Sequence, residues 1–213
     1  MKKIILTLLF SVCVLLSAAQ TDKNSAYDSL LILDNFDDAN LTAAPEWWVF
    51  DGLKTAFNPA EKPEQGKYYL QLSGETDNYY IGGLGFYFGR AAVRYDALVL
   101  DVKGSGAGLL KIQLFDDDNN TYQLEQDQEF QPLYDDQYEY ELAIDWTGWR
   151  TIEIPLSRFV DVNPGTGDDI WNPAASGGSG GLLHAQLIIM LEEAAGSVNI
   201  GLDNLSLARN KVN

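Results

Sequence analysis

Apolar and polar residues alternate with a period of two in four separate runs of this chain, and this alternation constrains the fold more than any other feature. The runs span residues 98–102, 110–114, 140–146 and 150–154. Such alternation is typical of half-buried β-strands. Residues 187–191 are apolar on both faces, which indicates a central strand. Because no segment has a long helical period, the sequence predicts an all-β protein.

Turn-forming residues separate these runs. Clusters of Gly, Pro, Asn, Asp and Ser lie at 103–106, 116–120, 163–165 and 177–181. Many short antiparallel strands joined by such turns predict a two-sheet antiparallel β-sandwich of the jelly-roll type. The stretch 163–181 then forms a long loop within the domain, and long loops in compact domains frequently carry function.

The two ends of the predicted domain have similar sequences. Leu31–Phe36 reads Leu-Ile-Leu-Asp-Asn-Phe, and the closing segment Gly196–Leu207 contains Leu-Asp-Asn-Leu within an alternating strand. This similarity predicts that the first and last strands are both built into the sheets. Asp34 and Asp203 would then lie near one another.

The N-terminal residues predict export. Lys2 and Lys3 precede an apolar run at 4–16, and the small residues 17–19 suit cleavage before Gln20. A membrane anchor is disfavoured because a spanning helix needs ~20 apolar residues. A lipid on Cys13 is a further alternative. We therefore predict a secreted or periplasmic protein.

The predicted boundaries are a signal peptide at 1–19, an N-terminal lead at 20–31, a β-sandwich domain at 32–208 and a C-terminal tail at 209–213. Cys13 is the only cysteine, so the exported chain has no disulfide. The chain carries 31 Asp and Glu against 14 Lys and Arg, a net charge of −17, which becomes −19 without Lys2 and Lys3. This charge excludes nucleic acid and anionic lipid as partners, since both require basic surfaces.

Five segments in order carry a resemblance to a known family. They are Leu33-Asp-Asn-Phe-Asp-Asp38, Thr76-Asp-Asn-Tyr-Tyr80, Leu98-Val-Leu-Asp-Val-Lys-Gly104, Trp149-Arg-Thr-Ile-Glu-Ile-Pro-Leu-Ser-Arg-Phe159 and Val198-Asn-Ile-Gly-Leu-Asp-Asn-Leu205. Over about residues 32–208 the chain resembles the galactose-binding-like jelly roll. It is most similar to the family-eleven carbohydrate-binding modules and the complex I intermediate-associated protein domain. The resemblance to the modules implies a β-glucan chain held on a concave sheet face, with a calcium ion bound away from that face.

Aromatic residues are the first candidates for a carbohydrate site, because sugar C–H groups pack on aromatic rings. The aromatic candidates are Trp47, Trp48, Phe50, Tyr79, Tyr80, Tyr122 and Trp171. From these we select Trp48, Tyr79, Tyr122 and Trp171 for stacking, with Gln113 as a hydrogen-bonding residue. The resemblance matches Tyr79 to a sugar-contacting tyrosine and places Phe50, and Met190 or Leu191, where the family has tyrosines. The alternative for each aromatic residue is packing in the core.

Calcium is the second prediction. The resemblance favours a site containing Asp34, Asp37 and Asp203, with Asp38 nearby and carbonyl groups from 64–66. Carboxylate and carbonyl oxygens are the ligands that calcium takes. The alternative is that these aspartates start turns through local hydrogen bonds.

A second acidic segment, Asp116–Asn120, matches the first three ligand positions of an EF-hand loop, with Asp127 at the twelfth. Thr121 occupies the position that requires glycine, and no helices flank the segment. We therefore interpret it as a hairpin turn.

No catalytic motif stands out. His184 is the only histidine, which excludes a histidine-cluster zinc or copper site. We predict a secreted, non-catalytic carbohydrate-binding protein that holds a neutral or β-linked glycan on one sheet face. The alternative is a structural or assembly protein of the cell envelope that uses the same fold to bind a protein partner. A glycosidase or lyase is a third possibility, and the sequence does not identify the glycan.

Overall fold

The computed structural model describes residues 27–62, 65–91, 94–175 and 178–211. Within these ranges the chain forms twelve β-strands and one 3₁₀ helix. The strands are β1 Tyr27–Asp34, β2 Trp47–Asp51, β3 Lys54–Pro59, β4 Tyr68–Thr76, β5 Tyr80–Ala91, β6 Ala97–Ser105, β7 Leu109–Asp116, β8 Asp136–Ala143, β9 Thr147–Pro155, β10 Val160–Asp161, β11 Leu182–Met190 and β12 Gly196–Asn210. The 3₁₀ helix is Leu156–Arg158. Among the described residues, no helix has the length and apolarity that crossing a membrane requires.

The strands form two six-stranded antiparallel sheets. The first sheet has the order β3-β4-β12-β6-β9, with β1 also paired to β12. The second sheet has the order β10-β8-β7-β11-β5-β2. This confirms the predicted all-β, two-sheet antiparallel sandwich. Residues 187–190 of the predicted apolar strand lie within β11, between β7 and β5, and this strand is therefore central as predicted.

The core lies between the inner faces of the two sheets. Leucine, isoleucine and valine side chains from alternate strand positions meet there and are almost fully buried. They include Leu70, Leu72, Leu100, Val102 and Leu202 from the first sheet, and Leu84, Ile112, Leu114, Leu187 and Ile189 from the second. Burying one such side chain contributes about 1.5–3 kcal/mol. This core stabilises the domain without a disulfide.

The terminal strands pair with each other. β1 runs antiparallel to the C-terminal half of β12, with Asp34 opposite Leu205, while β4 pairs with the N-terminal half. The prediction that both end strands are built into the sheets is correct, and Asp34 lies close in register to Asp203.

The strand bounds differ from the predicted domain bounds of 32 and 208. β1 begins at Tyr27, inside the predicted lead, and β12 continues to Asn210, inside the predicted tail. Alternation did not reveal the start of β1 because Leu31 and Ile32 on this strand are both exposed. The predicted signal peptide, its cleavage site and Cys13 lie outside the described residues.

The connection between β7 and β8 is long. The two strands form an antiparallel pair from Asp116 opposite Asp136 to Leu109 opposite Ala143, and residues 117–135 join them. The segment at Asp116–Asn120 therefore begins this 117–135 loop, so the predicted hairpin turn is wrong in length. The loop folds beside the outer face of the second sheet.

Candidate functional site

A cleft of about 650 Å³ lies on the outer face of the second sheet. Strands β2, β5, β7, β8 and β11 supply its floor, and residues of the 117–135 loop supply a wall. Strand pairing explains how distant residues meet there. Trp48 lies opposite Gly85, Gly85 opposite Gln186, and Gln186 opposite Gln113. This row of four residues crosses the floor of the cleft.

Two glycines of β5 make room for two aromatic rings of β2. A Cβ atom on Gly85 would lie 2.6 Å from Cζ2 of Trp48, and one on Gly83 would lie 2.5 Å from Cζ of Phe50. Real Cβ atoms do not approach other atoms so closely. The rings of Trp48 and Phe50 therefore rest directly on the backbone of β5, half-buried, with one side available to the cleft.

Five glutamines line the cleft: Gln113, Gln126, Gln131, Gln137 and Gln186. Each amide carries both hydrogen-bond donors and acceptors and no net charge. Nε2 of Gln113 donates to Oε2 of Glu139 at 3.0 Å, which orients the amide. The hydrogen-bonding capacity of the cleft is therefore largely neutral.

The charged groups on this face pair with each other. Nζ of Lys111 lies 2.8 Å from Oε1 of Glu139 and 3.2 Å from Oε1 of Glu141. Burial lowers the pKa of Lys111, but the hydrogen bonds and charges of Glu139 and Glu141 outweigh burial and raise it overall. Lys111 is therefore a cation held between two carboxylates.

One end of the cleft is closed by a tyrosine and an aspartate. The hydroxyl of Tyr80 donates a hydrogen bond to Oδ2 of Asp51. Burial, followed by this hydrogen bond and the charge of Asp51, raises the pKa of Tyr80. The phenol therefore remains a neutral donor at physiological pH.

Phe130 is the most prominent residue of the wall. Its side chain is 77% exposed, more than any other large apolar residue described, and its φ is +60°. A bulky residue in this left-handed region is unusual and is associated with functional constraint. All other residues of 125–131 are polar or charged. A single aromatic residue in such a segment is the sequence signal that could have identified Phe130.

His184 lies beside the cleft among aromatic rings. Its ring centroid is 5.3 Å from that of Trp48, 5.0 Å from Tyr87 and 6.3 Å from Phe115. Burial lowers its pKa to about 4. The imidazole is therefore neutral near pH 7 and packs as an apolar ring that positions Trp48.

Two of the five predicted sugar-binding residues, Trp48 and Gln113, lie together in the cleft. Tyr79 lies outside its lining, in the turn before β5, where its backbone N–H donates to the carbonyl of Ala194 and its carbonyl accepts from Leu191. Its neighbour Tyr80 lines the cleft instead.

Tyr122 and Trp171 also lie outside the cleft lining. The main-chain carbonyl of Tyr122 accepts a hydrogen bond from the hydroxyl of Tyr87. Trp171 is half-buried and packs on the core, with its ring 4.3 Å from that of Tyr138. Trp171 therefore has the alternative role stated for the aromatic residues, which is packing in the core.

The predicted calcium ligands already accept hydrogen bonds from the protein. Asp34 accepts from the backbone N–H of Phe36 and from Nε1 of Trp47, both at 2.7 Å. Asp37 accepts from the backbone of Lys67 and Tyr68. Both oxygens that would be offered to an ion by Asp34, and one oxygen of Asp37, are therefore already engaged by N–H donors of the protein.

Asp203 is fully buried, and its Oδ1 accepts from the backbone N–H of Asn204 at 2.8 Å. Among the described residues, Asp34, Asp37 and Asp203 are not gathered as a three-carboxylate group. The side chains as they stand do not present a calcium ligand set, and the site stays a prediction.

Solved structures show which known proteins share this fold. A family 11 carbohydrate-binding module from Clostridium thermocellum, in complex with a beta-1,3-1,4-mixed-linked tetrasaccharide, aligns with a TM-score of 0.57 at 16% identity, over 86% of this chain and 98% of that one. The family 11 module of a cellulosomal cellulase from the same organism aligns with a TM-score of 0.56 at 16% identity, over 87% of this chain and 96% of that one. An exo-beta-agarase aligns with a TM-score of 0.58 at 10% identity, over 85% of this chain and 25% of that one.

No protein-family model matches the sequence, and a search of curated proteins gives no match. The complex I part of the resemblance stays a prediction. The chain has the β-sandwich jelly-roll fold of the family 11 carbohydrate-binding modules.

Proposed function

We propose that this protein binds a neutral glycan chain in the cleft of the second sheet and does not cleave it. The observation that carries the proposal is the row of Trp48, Gln186 and Gln113 across the floor. It places a rigid aromatic face beside amide groups, and sugars offer the matching C–H patches and hydroxyl groups. A family 11 module of the same fold was solved with a beta-1,3-1,4-mixed-linked tetrasaccharide, which makes mixed-linked β-glucan the first ligand to test.

The wall strengthens this proposal. Phe130 on the 117–135 loop and Trp48 on β2 both line the cleft. A sugar chain lying along the floor would contact an aromatic residue from the sheet and another from the loop. An exposed phenylalanine ring is unfavourable in water, so a ligand that covers Phe130 gains apolar burial.

The carboxylates on this face favour binding over hydrolysis. A glycosidase needs one carboxyl group that is protonated to act as an acid. Both oxygens of Glu139 are engaged, one by Lys111 and the other by Gln113, so neither oxygen is free to contact a glycosidic bond. Asp51 accepts from Tyr80. These side chains suit the binding of sugar hydroxyls.

Calorimetric titration of the protein with mixed-linked β-glucan oligosaccharides tests the proposal. Trp48→Ala and Phe130→Ala are each expected to weaken binding by about 1–3 kcal/mol, the range for stacking on an aromatic ring, which is ~5- to 150-fold in Kd. Tyr134→Ala is the matched control, because Tyr134 is exposed on the same loop and outside the cleft lining.

Four results would contradict the proposal. If no neutral glycan produces a heat of binding, neutral glycans are excluded as ligands. Equal loss of affinity in Tyr134→Ala would show that the loop, not the aromatic wall, is responsible. Release of shortened sugars would favour the hydrolytic alternative, and capture of one defined envelope protein without glycan binding would favour the assembly alternative.

A further inference from the structure

Aspartates from four segments of the chain meet at one end of the second sheet. Asp116 and Asp118 lie at the end of β7 and the start of the 117–135 loop, and Asp135 and Asp136 lie where that loop enters β8. Asp161, Asp168 and Asp169 come from β10 and the segment after it. We call these seven residues the acidic cluster.

Three carboxylates of the acidic cluster are close enough to share one ion. One oxygen from each of Asp118, Asp136 and Asp168 lies within 4.8 Å of the other two. Asp136 also forms a second such group with Asp161 and Asp169. Asp136 is therefore the centre of the acidic cluster.

The hydrogen bonds at the cluster do not satisfy all of these oxygens. The hydroxyl of Ser179 lies within hydrogen-bonding distance of both Oδ1 of Asp118 and Oδ2 of Asp168. A hydroxyl has one hydrogen, so it donates to only one of them at a time. The other carboxylate oxygen then faces an oxygen lone pair, which is repulsive unless a positive charge lies between them.

Buried carboxylate oxygens without a hydrogen-bond partner also indicate that a positive charge is required at the acidic cluster. Asp136 is 0% exposed and its Oδ1 has no hydrogen-bond partner. A Cβ atom on Gly167 would lie 2.3 Å from this oxygen and from Oδ2 of Asp118, so the two oxygens converge on one point beside a residue without a side chain. Oδ2 of Asp135 and Oδ1 of Asp116, also fully buried, likewise have no partner.

Leaving several buried carboxylates together is costly. A buried carboxylate that has neither a hydrogen-bond partner nor a counter-charge is strongly disfavoured. None of the ion pairs between described side chains reaches Asp118, Asp136 or Asp168. The site therefore needs either protons or a cation, and the geometry distinguishes them because a proton bridges two oxygens whereas three converge here.

We propose that Asp118, Asp136 and Asp168 bind one calcium ion. Calcium takes about 6–8 oxygen ligands from carboxylates, carbonyls and water in flexible geometry. Three carboxylates from separate segments and the Ser179 hydroxyl form a hard-oxygen set of this kind. This site is distinct from Asp34, Asp37 and Asp203, and it does not depend on the proposed glycan binding.

The position of the site gives the ion a structural role. Asp118 follows β7 and Asp136 begins β8, so an ion bound to both joins the two ends of the 117–135 loop. The backbone N–H of Asp118 already donates to the carboxylate of Asp135 at 3.1 Å. The backbone N–H of Asp136 donates to the carboxylate of Asp118 at 2.9 Å. The same loop carries Phe130, so the calcium ion would hold the cleft wall in place.

Hydrogen–deuterium exchange of the unmodified protein tests the proposal without any variant. Calcium at neutral pH is expected to slow amide exchange in peptides that cover 116–122, 133–138 and 161–170, compared with protein in excess chelator. Protection confined to peptides around Asp34 and Asp203, or no protection anywhere, would overturn the proposal.

Calorimetric titration of calcium into variants supplies the second test. Asp118→Asn combined with Asp168→Asn is expected to bind one equivalent fewer of calcium than the wild-type protein, with circular dichroism confirming the fold. Asp168→Asn alone, at an exposed position, is expected to weaken the site at least tenfold. Asp77→Asn, at an exposed position away from the cluster, should titrate as the wild type does. Unchanged equivalents and affinity in the double variant would overturn the proposal.

Discussion

The indole of Trp48 occupies the space that a side chain on Gly85 would need. A Cβ atom there would lie 2.6 Å from Cζ2 of the indole and 3.0 Å from the carbonyl oxygen of Ala185. Gly85→Ala is therefore expected to displace the indole and to lower the free energy of unfolding by about 1–3 kcal/mol, the usual cost of overpacking.

A double-mutant cycle checks this expectation by denaturant unfolding. In the Trp48→Ala background, Gly85→Ala should cost less, because only the contact with Ala185 remains. An equal cost in both backgrounds would show that Trp48 and Gly85 are not coupled. Glycan affinity should fall in Gly85→Ala even where the fold is retained.

Variants of Tyr79 and Tyr80 show which of the two tyrosines contacts the sugar. The sequence predicts Tyr79, whereas the structure indicates Tyr80. Tyr80→Phe removes the hydroxyl that donates to Asp51, and we expect it to weaken glycan binding by about 1 kcal/mol, the worth of one hydrogen bond. Tyr79→Phe should leave affinity unchanged, since Tyr79 lies outside the cleft lining. Calorimetry of both variants with the same oligosaccharide decides, and the reverse order of affinities would restore Tyr79 as the sugar-contacting residue.

Asp34 is expected to stabilise the fold even without calcium. Its carboxylate accepts hydrogen bonds from the Phe36 backbone and the Trp47 indole, so Asp34→Ala leaves two donors unpaired. We expect a loss of about 1–3 kcal/mol in the free energy of unfolding, measured by urea denaturation in excess chelator. A role confined to calcium binding would instead give no loss in chelator and a loss only in calcium.

His184 gives the fold a pH dependence with a definite sign. Its pKa is about 4 in the folded protein, below the usual 6.5, so the unfolded chain binds a proton more readily. The contribution of His184 to stability is therefore present above pH 6.5 and is lost as the pH falls towards 4. Because the ring is partly exposed, we expect a discounted loss of ~1–2 kcal/mol.

Comparison with His184→Gln isolates this effect, since the aspartates titrate alike in both proteins. The difference in unfolding free energy between wild type and variant should shrink as the pH is lowered from 7 to 4.5. A difference that stays constant over this range would show that His184 is protonated equally in the folded and unfolded chains.

The sequence predicted the sandwich well because strand periodicity is a local property. The alternating residues of β6 and β7 and the apolar residues of β11 all fall on the faces that their patterns indicate. The start of β1 was missed because an edge strand exposes apolar residues on both faces, and alternation then carries no information.

The candidate site was only partly predictable, because it depends on which strands are neighbours. Trp48 and Gln113 were identified from residue type, but Gln186 joins them only through pairing across β5, β11 and β7. Phe130 lies in an acidic loop with no strand pattern. Asp118, Asp136 and Asp168 are separated by up to 50 residues, and no spacing rule relates them.

The five glutamines of the cleft determine how its affinity for a ligand depends on salt concentration. Dissolved ions screen net charges over about 8–10 Å at moderate salt, but they have little effect on short-range hydrogen bonds between neutral groups. The charged floor residues Lys111 and Asp51 are already engaged within the protein, Lys111 by Glu139 and Glu141 and Asp51 by Tyr80. Affinity in this cleft is therefore expected to be nearly the same in fresh water as in brine, although the surface around it is strongly acidic.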